Sequence, residues 1–423
     1  MSLGRQRVGA RSVVAATSAP AYLLKVMLPF ILFSTSKAFY TPIALAGRRL
    51  GAVQEVIGRN AGPAFRRLGG LRASSKSAGT KRVVFLGTPD VAALTLSRLL
   101  AASKDGRGGG FEIVSVVTQP PAPSGRKLKL TPSPVQTLAE SEKVPVLCPD
   151  KAKDPIFLSA LETLAPDLCI TAAYGNFLPS KFLAIPRYGT LNIHPSLLPK
   201  YRGASPVQRT LQAGDAVTGV SVLFTELKMD AGPLLAQVPY PLRGEEKAPE
   251  LLQTLFTAGT EALLEALPSV WDGTARLVEQ QEEQASQAEK IRAEEAQICF
   301  ERESALRVHN KVRAFAGWPG TWAVFEVAEE GEKEGGGKAV RLKIVTTRVG
   351  EGEEGVGAGR VVGVLGGKKG GLRVRCGDGS VLDILEVQPP GKKVMDCKSY
   401  ANGLRGRTLR WRPQDAKEGA AAA

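Results

Sequence analysis

The sequence predicts an α/β protein: a doubly wound, Rossmann-like domain followed by a small, OB-like C-terminal β-barrel. Three observations predict it. Short apolar runs alternate with helix-periodic segments from residue 82 onward, the pattern of a sheet wound with helices on both faces. Residues 279–289 then hold four Glu and four Gln with no apolar side chain larger than alanine, a composition that builds no core. Beyond them, about five short β-patterned runs separated by Gly-rich turns suggest a small barrel. These set the expected boundaries: a disordered leader over 1–80, the α/β domain over 81–272, a linker over 273–296, the barrel over 297–405 and a tail over 406–423.

Residues 82–86 (RVVFL) have the composition of a short buried strand. Gly87, Thr88 and Pro89 end it, and Asp90 is placed to cap the helix read over 90–100. Residues 111–118 (FEIVSVVT) read as a second strand. The turn between these elements is GTPD and not GxGxxG, so no bound dinucleotide is expected. Residues 119–134 (QPPAPSGRKLKLTPSP) carry five prolines, three basic side chains and no acid. So many prolines predict a loop without regular structure, either a solvated connector or a basic finger for phosphates. Helices follow over 135–142 and 155–164, with a short strand at 144–147. Residues 167–173 (DLCITAA) read as a strand buried on both faces.

The next strand, 189–193, opens the most informative stretch, GTLNIHPSLLPKYRG. It carries His194, one of only two histidines in the 423-residue chain, two positions after Asn192. Residues i and i+2 of a strand share a face, and Pro195 ends the strand. The pair therefore belongs at a carboxyl-terminal strand edge, where open α/β sheets bind ligands. A helix over 206–213, a strand over 219–224, a turn at Met229 to Gly232 and an antiparallel edge over 234–239 come next. Asp230 lies in that turn, where the sheet can bring it beside Asn192 and His194. A carboxamide donates to a developing oxyanion, an imidazole moves a proton near neutral pH, and a carboxylate beside it favours its charged form. Only Ser196 lies near as a nucleophile, so direct attack on a bound acyl donor fits better than a covalent acyl-enzyme. The longest amphipathic helix reads over 249–267. A helix over 304–315 precedes the barrel and holds His309, to which no chemistry is assigned.

The net charge of +15 is uneven. Residues 1–80 have twelve Lys or Arg against one acid, and residues 297–423 have 22 basic and 16 acidic side chains. The leader therefore reads as a targeting extension. Its apolar run at 21–33 is broken by Lys25 and Pro29, too short for a membrane span and closer to a signal-peptide core. The following SKAFYTP resembles the cleavage context of two-part plastid leaders in algae with complex plastids; a mitochondrial presequence is the alternative. The expected location is thus a plastid or mitochondrion, with no stable membrane association once processed. Five scattered cysteines without a CxxC point to a reducing compartment and no bound metal.

The runs LNIHPSLLPKYRGASPVQRTLQAGD, TGVSVL and MDAGPLL resemble the methionyl-tRNA formyltransferase family. FLGTPDVAA, VVTQPPAPSGRKLKLTPSPVQTLAE, AAYGNFLP, AEKIRAEEAQICF, KVRAFAGWPGTW and DILEVQPPGKKVM match it in order, over residues 81–405. The resemblance implies transfer of a formyl group from 10-formyltetrahydrofolate to the amino group of methionyl-initiator tRNA, for organellar translation initiation. It implies that Asn192 stabilises the oxyanion, His194 manages the amine proton and Asp230 orients His194. Ser196, Leu197, Leu198, Pro199, Tyr201, Arg202 and Gly203 match the loop flanking the folate site. Arg126, with Lys127 and Lys129 beside it, falls where the family contacts the tRNA acceptor end, although GRKLK stands where relatives often read GRGKK. The barrel resembles the family's tRNA-binding domain, and Lys392 and Lys393 match its PGKK turn. A monomer is expected. Two rivals share parts of this pattern. Another folate-dependent formyltransferase or a 10-formyltetrahydrofolate hydrolase has no use for the basic loop and barrel. A non-catalytic RNA-binding protein has no need of the three site residues together.

Overall fold

The computed structural model describes residues 79–125, 128–329, 332–333, 336–351, 361–364 (backbone only) and 372–411. The leader, apart from its last two residues, lies outside them, as do Arg126 and Lys127. The first domain runs β1 (Lys81–Gly87), α1 (Asp90–Lys104), β2 (Phe111–Val117), β3 (Ala122–Ser124), β4 (Lys129–Thr131), α2 (Pro134–Ser141) and β5 (Val146–Leu147). It continues with α3 (Pro155–Leu164), β6 (Leu168–Ala172), α4 (Ser180–Leu183), β7 (Thr190–His194), α5 (Pro206–Ala213), β8 (Val217–Phe224), β9 (Leu234–Pro241) and α6 (Ala248–Asp272).

The strand order is β5-β2-β1-β6-β7-β8-β9, parallel as far as β7 and antiparallel beyond it. The buried run in β1 shows why the sheet is covered on both faces. Val83 and Phe85 enter the core that α1 and α6 cover, whereas Val84 and Leu86 enter the one that α3 covers. Each such side chain contributes about 1.5–3 kcal/mol of burial. Helix α6 crosses β7 and β8 closely at Gly259, where an added Cβ would lie 2.5 Å from Val220 and 2.6 Å from Ile193. The strand order reverses at β1, with β2 on one side and β6 on the other, and such a switch point opens a crevice at the carboxyl ends.

The second domain consists of α7 (Ala305–Ala314), β10 (Thr321–Ala328), β11 (Lys338–Gly350), β12 (Val361–Val364), β13 (Leu372–Arg375), β14 (Val381–Gln388), β15 (Met395–Asp396), α8 (Cys397–Gly403) and β16 (Thr408–Trp411). Its antiparallel sheet, in the order β12-β13-β14-β11-β10-β16 with β15 on β14, curls around Phe300, Phe325, Leu342 and Ile384. Strands β12 and β16 approach within 8 Å, Cα to Cα, but do not pair in that order. The result is a half-barrel. Helix α7 joins the domains through His309, which bonds to Thr347 and to the Gly244 carbonyl, and beside it Lys247 donates to Thr346 of β11.

Four sequence expectations need correction. The Pro-rich segment is not wholly irregular, because β3 and β4 form a small exposed hairpin; Pro123 is tolerated at its edge. Asp90 is the first residue of α1 and not its cap, which is Pro89 without a side-chain bond; Asp90 serves the helix through the dipole instead. Residues 408–411, read as part of the tail, instead belong to the second domain's sheet, since β16 pairs with β10 and buries Leu409 and Trp411. The linker is bound along its length to the first domain, as described below.

Candidate active site

Strand β7 ends at His194 because Pro195 cannot continue the ladder. His194 is 4% exposed. Nε2 faces the carbonyl of Tyr201 at 2.9 Å. A carbonyl only accepts, so Nε2 carries hydrogen and Nδ1 of the neutral ring is the free base. Nδ1 lies 3.7 Å from Asp230 Oδ1. That exceeds hydrogen-bond length, so the orienting partner of His194 is Tyr201, not Asp230, and the carboxylate acts on the ring through charge. The reason is the loop: it doubles back with Tyr201 in the left-handed region, φ 63°.

Asn192 stands one pleat earlier on β7. The Thr171 hydroxyl of β6, its partner in the parallel register, donates to Asn192 Oδ1 at 2.8 Å. This makes the amide Nδ2 the end that faces Asp230, where it donates to Oδ1 at 3.5 Å. Asp230 is itself left-handed, φ 49°, and its Oδ2 accepts from the Gly203 amide at 2.8 Å. Ala173, at the end of β6, is left-handed as well. Strained residues gathered around one edge are common at functional sites. The three expected residues thus converge at the carboxyl edge of β7.

The loop residues divide. Ser196 is fully buried, and its hydroxyl donates to the Lys200 carbonyl. Leu198 packs on Leu223 and Leu234. Arg202 is 2% exposed, with its guanidinium on Gln280 and Glu282. These three side chains build the loop and face away from solvent. Leu197, Pro199, Tyr201 and Gly203 are partly exposed. The Tyr201 hydroxyl donates to Asp215, and burial together with that carboxylate pushes its pKa up. Gly203, at φ 123°, admits the linker: an added Cβ would lie 2.8 Å from the Ala288 carbonyl.

Sequence reasoning missed several residues that set this geometry. Ser221, opposite His194 on β8, donates to the Ser196 carbonyl and accepts from the Leu198 amide and Gln237. Thr171 looked like one residue of an apolar strand. The linker is a strap: Val278 exchanges backbone bonds with Leu234, and Ser286 and Ala288 bond to residues 199–205. Lys129, Lys392 and Lys393 are exposed, on β4 and in the turn after β14. Among the described residues no group of three or more His, Cys, Asp or Glu could hold a metal ion, and no helix is long and apolar enough to cross a membrane.

The chain matches the formyl transferase model over residues 81–267 and the formyl transferase C-terminal domain model over 290–405. Fold and site together therefore define a formyl transferase with its accessory domain. A methionyl-tRNA formyltransferase of Frankia casuarinae is 40% identical over 343 residues, spanning 78% of this chain and 96% of that one. One of Myxococcus xanthus is 36% identical over 322 residues, spanning 76% and 95%. The chain belongs to the methionyl-tRNA formyltransferase family. Among solved structures, the sugar 3N-formyl transferase WlaRD, crystallised with dTDP and 5-N-formyl-THF, covers 74% of this chain and 100% of its own, with TM-score 0.50 and 14% identity. A HypX variant of Aquifex aeolicus covers 80% and 50%, with TM-score 0.50 and 18% identity. At these identities the likeness is one of fold.

Proposed function

We propose that the protein transfers the formyl group of 10-formyltetrahydrofolate to the amino group of methionyl-initiator tRNA, supplying N-formylmethionyl-tRNA for translation initiation in a plastid or mitochondrion. The observation that carries this reading is the approach of Asn192 and His194 to one carboxylate, at 3.5 and 3.7 Å, at the carboxyl edge of β7. A neutral amide donor beside a buried imidazole suits an uncharged acyl group. The Tyr174 hydroxyl and the Asn176 amide lie against one another just beyond the end of β6, two neighbouring polar groups that suit the polar part of a folate. Leu197, Pro199, Tyr201 and Gly203 would flank that folate, with Ser196, Leu198 and Arg202 shaping the loop from behind.

The folate supplies the formyl carbon, bonded to nitrogen, as the electrophile. Asn192 Nδ2 donates to the formyl oxygen as the new C–N bond forms and negative charge gathers there. His194 Nδ1 takes the proton that the attacking amine sheds, and returns it to the nitrogen that leaves when the old C–N bond breaks. Asp230 stabilises the imidazolium in between; unit charges at this separation attract by about 4 kcal/mol at an effective dielectric of about 20. Lys129, Lys392 and Lys393, together with Arg126 and Lys127, are proposed to hold the tRNA backbone.

The test is incubation of the purified chain with 10-formyltetrahydrofolate and either methionyl-tRNA or glycinamide ribonucleotide. Formyl transfer to the tRNA alone is expected. Transfer only to the ribonucleotide, or donor hydrolysis without acceptor, overturns the reading. Import of a fluorescent fusion of residues 1–80 tests the destination; cytosolic retention contradicts it.

A further inference from the structure

Gln280 belongs to the strap that composition marks as a linker, yet each of its polar atoms is engaged. Its amide nitrogen donates to the Asp230 carbonyl at 2.9 Å and to the Gly232 carbonyl at 2.8 Å. Its amide oxygen accepts from Arg202 Nε at 3.1 Å and Nη2 at 2.8 Å. The remaining Arg202 nitrogen, Nη1, bonds to Glu282, which also takes Lys228 from the segment just before Asp230. Gln280 thus ties together the two segments that frame the site: the loop whose Tyr201 carbonyl holds His194, and the turn that carries Asp230.

That turn needs holding. Asp230 is left-handed at φ 49°, an unfavourable conformation for a residue with a side chain. Gly232 fits only as glycine, because an added Cβ would lie 2.0 Å from the Phe224 carbonyl. The carbonyls on either side of Ala231 both point at one amide group. Freed of it, the turn keeps the Gly203 amide on the Asp230 carboxylate and the backbone bond from Ala231 to the Lys228 carbonyl at 3.3 Å, but the Asp230 and Gly232 carbonyls lose the donor they share.

We propose that Gln280 is a positioning residue for formyl transfer: it sets the Asp230 turn and the Arg202 loop in register, so that the second domain's tether forms a wall of the site. This rests on the assignment of Asp230 to the chemistry. A displacement of about 1 Å at a reacting centre can cost about 100-fold in rate, and the loss should fall on kcat because the bonds Gln280 makes go to the Asp230 and Gly232 carbonyls and to Arg202, which shapes the loop from behind.

Gln280→Glu separates its two duties. The carboxylate keeps an acceptor for Arg202 but offers no donor to the Asp230 and Gly232 carbonyls, which it repels. Measured on the full chain with 10-formyltetrahydrofolate and methionyl-tRNA, kcat should fall about 10- to 100-fold, with both KM values and the melting temperature close to wild type. Gln280→Ala should lose as much in kcat and also melt lower, because Arg202 is left with buried donors unpaired. Asp230→Asn is the companion control. If that control is inactive while Gln280→Glu keeps kcat within about twofold of wild type, the positioning role is wrong and the site assignment stands. If Asp230→Asn itself turns over at the wild-type rate, both fall. A Gln280→Glu defect confined to KM likewise overturns positioning.

Discussion

Nδ1 of His194 lies 3.7 Å from Oδ1 of Asp230, while Nε2 of the same ring is committed to the Tyr201 carbonyl at 2.9 Å. The arrangement assigns the two nitrogens different work. The one bonded to the loop fixes the ring; the one facing the carboxylate has no hydrogen-bond partner among the described residues and is left to exchange a proton.

Asp230→Asn keeps the shape of the side chain and can retain the bond from the Gly203 amide, but removes the charge opposite Nδ1. A loss in kcat of about 100-fold or more is expected, within the range for general acid–base catalysis, with little change in unfolding midpoint. Steady-state kinetics beside a denaturant titration checks both parts.

Asn192→Ala removes the proposed oxyanion donor and should lower kcat by about 100- to 1,000-fold. Thr171→Val leaves the amide in place but deletes the hydroxyl that fixes which of its ends faces the site. A smaller loss, about tenfold, is expected from the misaligned fraction. Equal losses in the two variants would mean that Thr171 does more than orient Asn192.

Burial holds the His309 imidazole below its usual pKa, and Arg313 adds to this; the bonds to Gly244 and Thr347 and the charge of Glu245 oppose it. A histidine with a lowered folded pKa binds fewer protons folded than unfolded. Its contribution is therefore complete above the unfolded value of about 6.5 and is lost as pH falls from there toward the folded value. Between pH 7.5 and 5.5 the wild type should lose stability faster than His309→Gln, by no more than about 1.4 kcal/mol per pH unit for one proton. Parallel pH curves for the two proteins would contradict this.

Burial also raises the thiol pKa of Cys376 and Cys397 to about 12, and that of Cys169 further. All five cysteines are free, and only Cys148 and Cys299 are partly exposed. Native alkylation should modify those two at most among them, and the modified enzyme should keep its formyl transfer rate. Loss of activity on modification would point to a cysteine in the chemistry.

The sequence made some of this legible and concealed the rest for physical reasons. Asn192 and His194 could be paired because strand periodicity is local, and Pro195 marks the end of β7 within one residue. The partnership of Thr171 with Asn192 depends on register across two parallel strands, which no local pattern encodes. Gln280 sits in a run of Glu and Gln that composition reads as solvated, and only its bonds to Asp230 and Arg202 distinguish it. The β3–β4 hairpin was hidden by its prolines. Leu409 and Trp411 do alternate as a strand should, but four residues near the end of a chain are too few to stand out from a tail.

The central claim is that Asn192, His194 and Asp230 carry the transfer, and the most direct measurement is single-turnover formylation of methionyl-tRNA by His194→Ala, with its fold verified by circular dichroism. The account predicts a rate lower by about 100- to 10,000-fold with donor and tRNA affinities largely kept. A folded His194→Ala protein that formylates within about tenfold of the wild-type rate would contradict it.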